Sequence, residues 1–232
     1  MTKIKNFWND EYKKAKHLTL SDEPSEDFQK FVRWALRNSE WPPFPQNGLV
    51  VDLGCGNGRN IIALCSEAKM KGIGIDISGV ALSQARSTAG NLPIEFLEQS
   101  ITEPIPAENE SVDVVLDMMT SHFLNEKERK QLLNEIVRVM KPYGWLYFKT
   151  FILEDDQHAK RLIEQYPSGE HNSYIHPRIQ ALEHVWEEDE LIDFFSPHFK
   201  IYKMLKSFKH ITNDGKPYKR RTISLYMEKK RD

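Results

Sequence analysis

Residues 49–58 read LVVDLGCGNG, an apolar run followed by an acidic residue and three glycines at alternate positions. A run that is apolar on both faces predicts a parallel strand buried beneath helices, which turns after Asp52 into a glycine-rich loop. Glycine suits such a loop because it reaches backbone angles closed to other residues and lets the main chain approach a ligand. Residues 59–64 then open a helix whose free N–H groups point back at the loop. The segment predicts a binding site for a nucleotide cofactor.

A second carboxylate, Asp76, stands at the end of the predicted buried strand 71–76. An acidic residue at this place in a Rossmann-like sheet accepts hydrogen bonds from a ribose diol. The glycines follow the pattern G-x-G-x-G, whereas the dinucleotide fingerprint is G-x-G-x-x-G. The spacing therefore disfavours the alternative of an NAD-dependent oxidoreductase.

Four segments together resemble class I S-adenosylmethionine-dependent methyltransferases. The glycine loop is similar to motif I of that family, residues 71–76 to its second strand, residues 105–115 to the stretch before its fourth strand, and residues 138–144 to the turn before its fifth. The resemblance implies S-adenosylmethionine as cofactor and methyl transfer as the reaction. It implies cofactor contacts from the loop and the strand ends, namely Asp52, Gly54, Cys55, Gly56, Asn57, Gly58, Asp76, Ile77, Ser100, Ile101, Asp117 and Met118.

The expected adenine contact departs from the family pattern. Many members carry an acidic residue after the third strand, and Ser100 occupies that position here. A hydroxyl can accept the same bond from the adenine amino group, and the N–H of Ile101 can donate to the ring. Glu98 or Gln99 can substitute if the register shifts by one, so three residues stay candidates for this contact.

Two aromatic residues near the start of the chain, Trp8 and Tyr12, lie four apart and share one helical face. They resemble a segment that, in many such methyltransferases, folds over the cofactor and contacts its methionine carboxylate. The alternative is apolar packing onto the sheet. We expect residues 1–47 to form a helical cap and linker, and residues 48–232 to form the cofactor-binding domain.

The residues after the predicted fourth strand include Asp117, Met118 and His122. The resemblance places Asp117 and Met118 near the sulfonium of the cofactor. The alternative is that Asp117 caps the next turn and that methionine fills the core, as it often does. A structural role is favoured over a role as base for His122.

A long segment rich in aromatic residues and histidine, residues 166–186, follows the fifth strand. A loop of this length is usually functional or disordered, and its composition argues against disorder. Insertions at this point commonly cover the substrate in the family, although the same side chains can also pack the loop onto the sheet. The substrate-contact candidates are Tyr174, His176, Glu183, His184 and Trp186, of which Tyr174, His176 and His184 are also candidates for catalysis.

No metal site is expected, because the spacing of His171, His176 and His184 matches no zinc signature and methyl transfer needs no metal. Cys55 and Cys65 do not form a disulfide framework. The chain has neither an apolar leader nor a stretch of membrane-spanning length, so we expect a cytoplasmic protein with no membrane partner.

A small molecule is the expected substrate, and the net charge of −2 favours no other partner. Residues 200–232 nevertheless hold 11 Lys and Arg against 3 acidic residues. This basic segment can bind RNA or protein substrates, but lysine on an edge strand also limits aggregation. A noncatalytic cofactor-binding or RNA-binding module is a further alternative, and the oligomeric state stays open.

Alternating helix and strand patterns predict the elements that position these residues. They indicate an α/β, doubly wound fold with helices on both faces, and the resemblance to the methyltransferases implies a seven-stranded, mostly parallel sheet with an antiparallel last strand. Helices are predicted at 25–37, 79–89, 126–140, 156–165 and 187–195, a fifth strand at 145–150, and a closing hairpin of 199–207 and 221–228 with its turn at 213–215.

Overall fold

The computed structural model describes residues 2–15, 20–207, 210–211, 217–218 and 220–231. Its strands, in chain order, are β1 (Leu49–Leu53), β2 (Lys71–Asp76), β3 (Ile94–Glu98), β4 (Val112–Met118), β5 (Met140–Phe151), β6 (Ser173–Ile175), β7 (Leu182–His184), β8 (Phe199–Ser207), β9 (His210–Ile211), β10 (Pro217–Tyr218) and β11 (Thr222–Lys229).

Seven of these strands form one sheet in the order β3-β2-β1-β4-β5-β11-β8. The pairs among β1 to β5 are parallel, and β11 runs antiparallel to both of its neighbours, β5 and β8. The predicted fold class is confirmed. In this strand order the carboxyl ends of β1, β2, β3 and β4 lie side by side, where open α/β sheets bind their ligands.

Seven helices in the described part of the chain surround these strands. They are α1 (Thr2–Lys13), α2 (Glu26–Asn38), α3 (Arg59–Ala68), α4 (Gly79–Ala89), α5 (Glu126–Val139), α6 (Gln157–Gln165) and α7 (Glu188–Phe195), with a 3-10 turn at Ser121–Phe123. Three of these helices, α3, α4 and α5, connect parallel strands. Each predicted helix is present to within about one residue at either end. At the start of α4 the Ser78 hydroxyl accepts a hydrogen bond from Ala81 N at 3.1 Å, as expected for an N-cap.

Two apolar clusters cover the two faces of the sheet, because successive side chains of a strand point to opposite faces. Val51 of β1 belongs to one cluster together with Phe195 of α7. Val50, its neighbour in sequence, belongs to the other cluster together with Phe28 and Phe31 of α2. Burial on both faces explains why β1 is apolar at every position except Asp52.

Two elements differ from the sequence prediction. Strand β5 begins at Met140, five residues early, because an irregularity between the pairs Val112–Met140 and Val114–Trp145 lets residues 141–144 join the strand. Within the segment predicted as a loop, β6 and β7 form an antiparallel hairpin. We call residues 173–184 the roof hairpin.

The closing pair of β8 and β11 is antiparallel as predicted. The predicted turn at residues 213–215 lies outside the described residues, and β9 pairs with β10 beside it. No helix in the described part of the chain has the length and apolar character needed to cross a membrane.

Candidate active site

A cavity of about 830 Å³ opens at the carboxyl ends of the parallel strands. All of the predicted cofactor residues except Gly56, Gly58 and Asp117 line it. The lining residues that the sequence also predicted are Trp8, Tyr12, Asp52, Gly54, Cys55, Asn57, Asp76, Ile77, Ser100, Ile101 and Met118.

The glycine loop, residues 54–58, requires glycine on both conformational and steric grounds. Gly54 and Gly56 have φ angles of 68° and 57°, in the left-handed region that side chains disfavour. A Cβ atom at Gly54 would collide with the Thr120 side chain, and one at Gly56 with the Tyr12 hydroxyl. The loop therefore has no space for a side chain at either position, and its backbone can approach a ligand in the cavity.

Asp76 holds the glycine loop against the end of β2. Its Oδ2 accepts a hydrogen bond from Gly56 N at 2.9 Å, and its Oδ1 accepts one from Ser78 N at 2.8 Å. Each carboxylate oxygen has a second lone pair, so the group can still accept bonds from a diol in the cavity. Burial raises the pKa of Asp76, and the backbone donors oppose that shift.

Three carboxyl groups lie together at this edge of the sheet. Burial raises the pKa of Asp52 to about 8, with Asp76 and Asp117 adding to the shift. Burial also raises the pKa of Asp117 to about 6. Asp117 accepts a bond from Ser121 N at 3.2 Å through Oδ1, while its Oδ2 has no hydrogen-bond partner within the described structure. A cationic ligand would relieve this concentration of carboxyl groups.

Arg59, which the sequence analysis passed over as a ligand, also lines the cavity at the first residue of α3. Among the described residues its guanidinium makes no hydrogen bond or salt bridge, and Asp52 makes no hydrogen bond through its carboxyl group, although the charge of Arg59 acts on Asp52 and opposes the rise in its pKa. An unpaired cation and an unpaired carboxyl group in one cavity match the two charges of an α-amino acid. Its position directly after the glycine motif is the sequence signal that would have identified Arg59.

The adenine candidates fall into two groups. Ser100 and Ile101 line the cavity, whereas Glu98 and Gln99 do not. Glu98 pairs with Lys5, and Gln99 Nε2 donates to Pro104 O at 2.9 Å. The Ser100 hydroxyl lies 2.8 Å from Thr102 Oγ1, so its hydrogen-bonding capacity is partly used within the turn.

Helix α1 crosses the cavity from β3 to the glycine loop. Asn9 Oδ1 accepts from the Ser78 hydroxyl at 2.8 Å, and Gln84 Nε2 donates to Tyr12 O at 2.8 Å. The Trp8 ring lies 5.8 Å from that of Phe123, another lining residue. Both aromatic residues predicted to cover the cofactor therefore face the cavity.

The substrate candidates of the roof hairpin are placed differently from the prediction. Tyr174, Glu183, His184 and Trp186 are at most 3% exposed, and neither they nor His176 line the cavity. Tertiary contacts explain this difference, because Tyr174 and Glu183 bond to the buried Arg220, and Trp186, which follows the hairpin, packs in the apolar core. The residues that reach the cavity from this hairpin are Gln180 and Ala181, which carry no recognisable sequence pattern.

A buried ionic cluster anchors the roof hairpin. Arg220 donates to Glu183 Oε1 at 2.8 Å and to the Tyr174 hydroxyl at 3.0 Å, and the Tyr174 hydroxyl donates to Glu183. Arg220 Nε also lies 3.3 Å from Asp156 Oδ2. Burial opposes ionisation of Glu183, but the neighbouring Arg220 holds the pKa of that carboxyl below its usual value. Arg220, predicted as part of a basic surface segment, is therefore an interior residue, since only 4% of it is exposed.

The histidine candidates have structural partners. His184 lies 2.8 Å from Ser173 Oγ through Nδ1 and 3.0 Å from Glu190 Oε1 through Nε2. His176 Nδ1 accepts from the backbone of the turn that follows it. Burial lowers the pKa of His122 to about 4, which keeps this ring neutral. The described residues contain no group of three His, Cys, Asp or Glu side chains able to hold a metal ion.

Of the remaining lining residues, Met119 and Thr120 were among the candidates expected just after the fourth strand, and the others were not predicted as ligands. Most of the set is apolar or small, and its members come from loops and from the ends of helices. They are Lys3, Ile4, Leu20, Ser21, Arg59, Asn60, Thr102, Met119, Thr120, Phe123, Leu124, Glu128, Gln180 and Ala181.

Comparison with known proteins identifies the domain. A family model described as a methyltransferase domain matches residues 50–144. The chain is similar to phthiotriol/phenolphthiotriol dimycocerosates methyltransferase 1 of Mycobacterium ulcerans, with 31% identity over 134 residues, or 56% of this chain and 46% of that protein. It is also similar to carboxy-S-adenosyl-L-methionine synthase of Erwinia tasmaniensis, with 29% identity over 174 residues, or 71% and 69% of the two chains.

A solved structure shows the same fold. The 1,6-didemethyltoxoflavin-N1-methyltransferase of Burkholderia thailandensis, with bound 1,6-didemethyltoxoflavin and S-adenosylhomocysteine, matches with a TM-score of 0.69 and 12% identity over 99% of this chain and 88% of that one. The chain spans about half the length of the first curated relatives that it matches, from 46% to 52%. Residues 50–144 match the model of a methyltransferase-domain family, and the chain has the fold of solved S-adenosylmethionine-dependent methyltransferases.

Proposed function

We propose that the protein transfers a methyl group from S-adenosylmethionine to a nucleophilic atom of a small molecule. The observation that carries this proposal is the presence of Asp52 and Arg59 in one cavity beside the glycine loop. Arg59 suits the carboxylate and Asp52 the ammonium of a methionine moiety, and Asp76 supplies acceptors for a ribose. The apolar side chains of Ile77 and Ile101 lie on the same wall and suit an adenine ring.

When bound, S-adenosylmethionine supplies a methyl group that its sulfonium has already activated. The protein then has to orient an acceptor and exclude water, tasks in which positioning dominates. Trp8 from α1 and Phe123 from the 3-10 turn meet across the cavity and exclude water from it. The buried carboxyl groups of Asp52 and Asp117 favour a positively charged ligand beside them.

A small substrate fits better than a polymer because α1 and the roof hairpin both border the cavity. The alternative of RNA or protein binding rests on the basic residues 200–232, much of which lies outside the described residues. Arg220 is removed from that surface by its pairing with Glu183. We therefore propose a metabolite as the acceptor.

A pair of ligands tests the cofactor assignment. S-adenosylhomocysteine carries the amino-acid group, whereas 5′-methylthioadenosine lacks it. Arg59→Gln should weaken S-adenosylhomocysteine binding about tenfold, the effect of losing one hydrogen bond to a charged group, and should leave 5′-methylthioadenosine binding unchanged. Titration calorimetry measures both, with Arg37→Gln on the exposed surface of α2 as the control.

Transfer itself is tested with labelled methyl donor and a metabolite extract. Label should appear in a compound of low molecular mass, and not in RNA or protein. In the calorimetry, an equal loss of affinity for S-adenosylhomocysteine and for 5′-methylthioadenosine in Arg59→Gln would contradict the role of Arg59. Label found only in macromolecules would contradict the small-molecule acceptor.

A further inference from the structure

One end of the cavity is bordered by residues that follow β4 and β5. Leu124 and Glu128 come from the start of α5, and Gln180 and Ala181 from the roof hairpin. We call these four residues the acceptor end. In the sheet, β4 and β5 lie on the side away from β3, where the adenine candidates Ser100 and Ile101 stand. The acceptor end is therefore separated from the adenosine region across the width of the cavity.

The polar groups of the acceptor end offer a carboxylate oxygen and an amide group as hydrogen-bonding partners. Glu128 Oε2 accepts from Asn125 N at 3.0 Å in the capping box of α5, which leaves Oε1 available. Gln180 Nε2 donates to Pro177 O at 2.8 Å, which leaves the side-chain carbonyl oxygen available. Gln180 also has a φ of 56°, a conformation that costs about 1 kcal/mol or more for a residue with a side chain.

Glu128 forms no salt bridge with any cation among the described residues, although the charge of Arg129 acts on it from a distance. The nearest in sequence, Arg129, is 5% exposed and donates to Leu124 O at 2.6 Å and pairs with Glu170 at 3.8 Å. The two cations of the cavity wall lie elsewhere. Lys3 belongs to the part of α1 where Lys5 pairs with Glu98 of β3, and Arg59 begins α3.

We infer that the methyl acceptor is an amine, bound through its N–H groups by the Glu128 carboxylate and the Gln180 carbonyl oxygen. This inference rests on the proposed function and specifies the substrate class of the same site. A half-buried carboxylate without a salt-bridge partner favours a ligand that supplies a cation. A carboxylate or phosphate acceptor would instead lie against the negative charge of Glu128, with the second amide N–H of Gln180 as the side-chain donor at this end.

The transfer balances for an amine. The bound ammonium first releases one proton to Glu128 or to water. The neutral nitrogen then supplies the electron pair of the new N–C bond, the electron pair of the broken C–S bond stays on sulfur, and the product leaves as an N-methylammonium. Glu128 thus binds the protonated amine and is placed to accept a proton from it.

The atom that receives the methyl group decides the substrate class. The full-length protein is incubated with methyl donor and a metabolite extract, and the product is located by mass spectrometry with fragmentation. We expect the methyl group on nitrogen. Methylation of oxygen, sulfur or carbon would overturn the amine assignment while leaving the proposed function intact. Absence of any methylated product would overturn the proposed function and this inference with it.

A charge-removing variant tests Glu128. Glu128→Gln keeps a group able to accept the capping hydrogen bond of α5 and removes the negative charge. It should lower kcat/KM for the identified acceptor about tenfold or more, with S-adenosylhomocysteine affinity within about twofold. Glu126→Gln, two residues earlier on the exposed surface of the same helix and outside the cavity wall, is the control and should leave both values unchanged.

A pair of matched ligands separates binding from turnover. In the complex with S-adenosylhomocysteine, benzylamine should raise the melting temperature more than benzyl alcohol does, and Glu128→Gln should abolish that difference. An alcohol preferred over its amine, or a preference unaffected by Glu128→Gln, would overturn the assignment of Glu128.

Discussion

At the scale of single residues, the site concentrates carboxyl groups whose burial only a ligand would offset. Asp52 is 3% exposed, and burial raises its pKa to about 8. A carboxyl group that folding makes harder to ionise destabilises the empty protein at neutral pH. Ligand binding therefore explains why carboxyl groups are buried here, since their burial lowers the stability of the empty protein.

The pH dependence of stability tests this account. Aspartate titrates near 3.9 in unfolded chains, so the folded protein binds more protons than the unfolded chain between that pH and about pH 8. The free energy of unfolding should therefore fall as pH rises through this window, by up to about 1.4 kcal/mol per unit from Asp52 alone. Asp52→Asn removes that contribution, so the variant should gain stability relative to the wild type from pH 5 to pH 8 in urea unfolding without ligand.

Asp27 serves as a control, because its pKa is lowered in the folded protein whereas that of Asp52 is raised. It lies 2.7 Å from Lys149, and although burial opposes ionisation, the bonds to Lys149 and Lys30 hold its pKa below the usual value. Asp27→Asn should differ from the wild type by a constant amount between pH 5 and pH 8. A difference between Asp52→Asn and the wild type that does not change with pH would contradict a raised pKa at Asp52.

At the scale of elements, the sequence predicts those strands and helices whose bounds are set by their own residues. Strands β1 and β2 and helix α4 have motifs or caps in their own residues, and their predicted bounds agree with the structure. The roof hairpin was missed because β6 and β7 have three residues each, too few to show alternation. Its candidates were chosen by chemical type, but burial in the structure depends on Arg220, which lies far along the chain.

The same reasoning explains why part of the site was predictable. Gly54, Gly56 and Asp76 act through backbone geometry that a short motif specifies. Gln180 reaches the cavity only because the roof hairpin folds over it, and no local pattern encodes that contact. Cavity contacts made by residues of a short motif were therefore predicted. Contacts made by residues that only the tertiary fold brings to the cavity were not.

Anchoring and lining residues of the roof hairpin should respond differently to mutation. Glu183→Gln breaks a buried ion pair and should lower the free energy of unfolding by about 3 kcal/mol. Gln180→Ala changes an exposed side chain and should lower it by less than about 0.5 kcal/mol, while raising KM for the acceptor. Thermal unfolding and steady-state kinetics measure the two effects, and equal destabilisation by both variants would contradict this division of roles.

At the scale of the whole molecule, the cavity is completed by parts of the chain far apart in sequence. The parallel strands provide its floor, and α1 crosses it near the glycine loop. Asn9 of α1 bonds to Ser78, which follows the ribose candidate Asp76, and Tyr12 covers Gly56. Docking of α1 and binding of the cofactor therefore share the same short stretch of chain, so each should favour the other.

This coupling has a reciprocal test. S-adenosylhomocysteine should slow amide hydrogen exchange in α1, because a ligand beneath the helix stabilises its docked position. Conversely, Asn9→Ala removes the acceptor of the Ser78 hydroxyl and should weaken S-adenosylhomocysteine binding about fivefold or more. Asn38→Ala, at the exposed end of α2, should leave affinity unchanged. Exchange in α1 that the ligand leaves unaltered, together with full affinity in Asn9→Ala, would show that the helix docks independently of the cofactor.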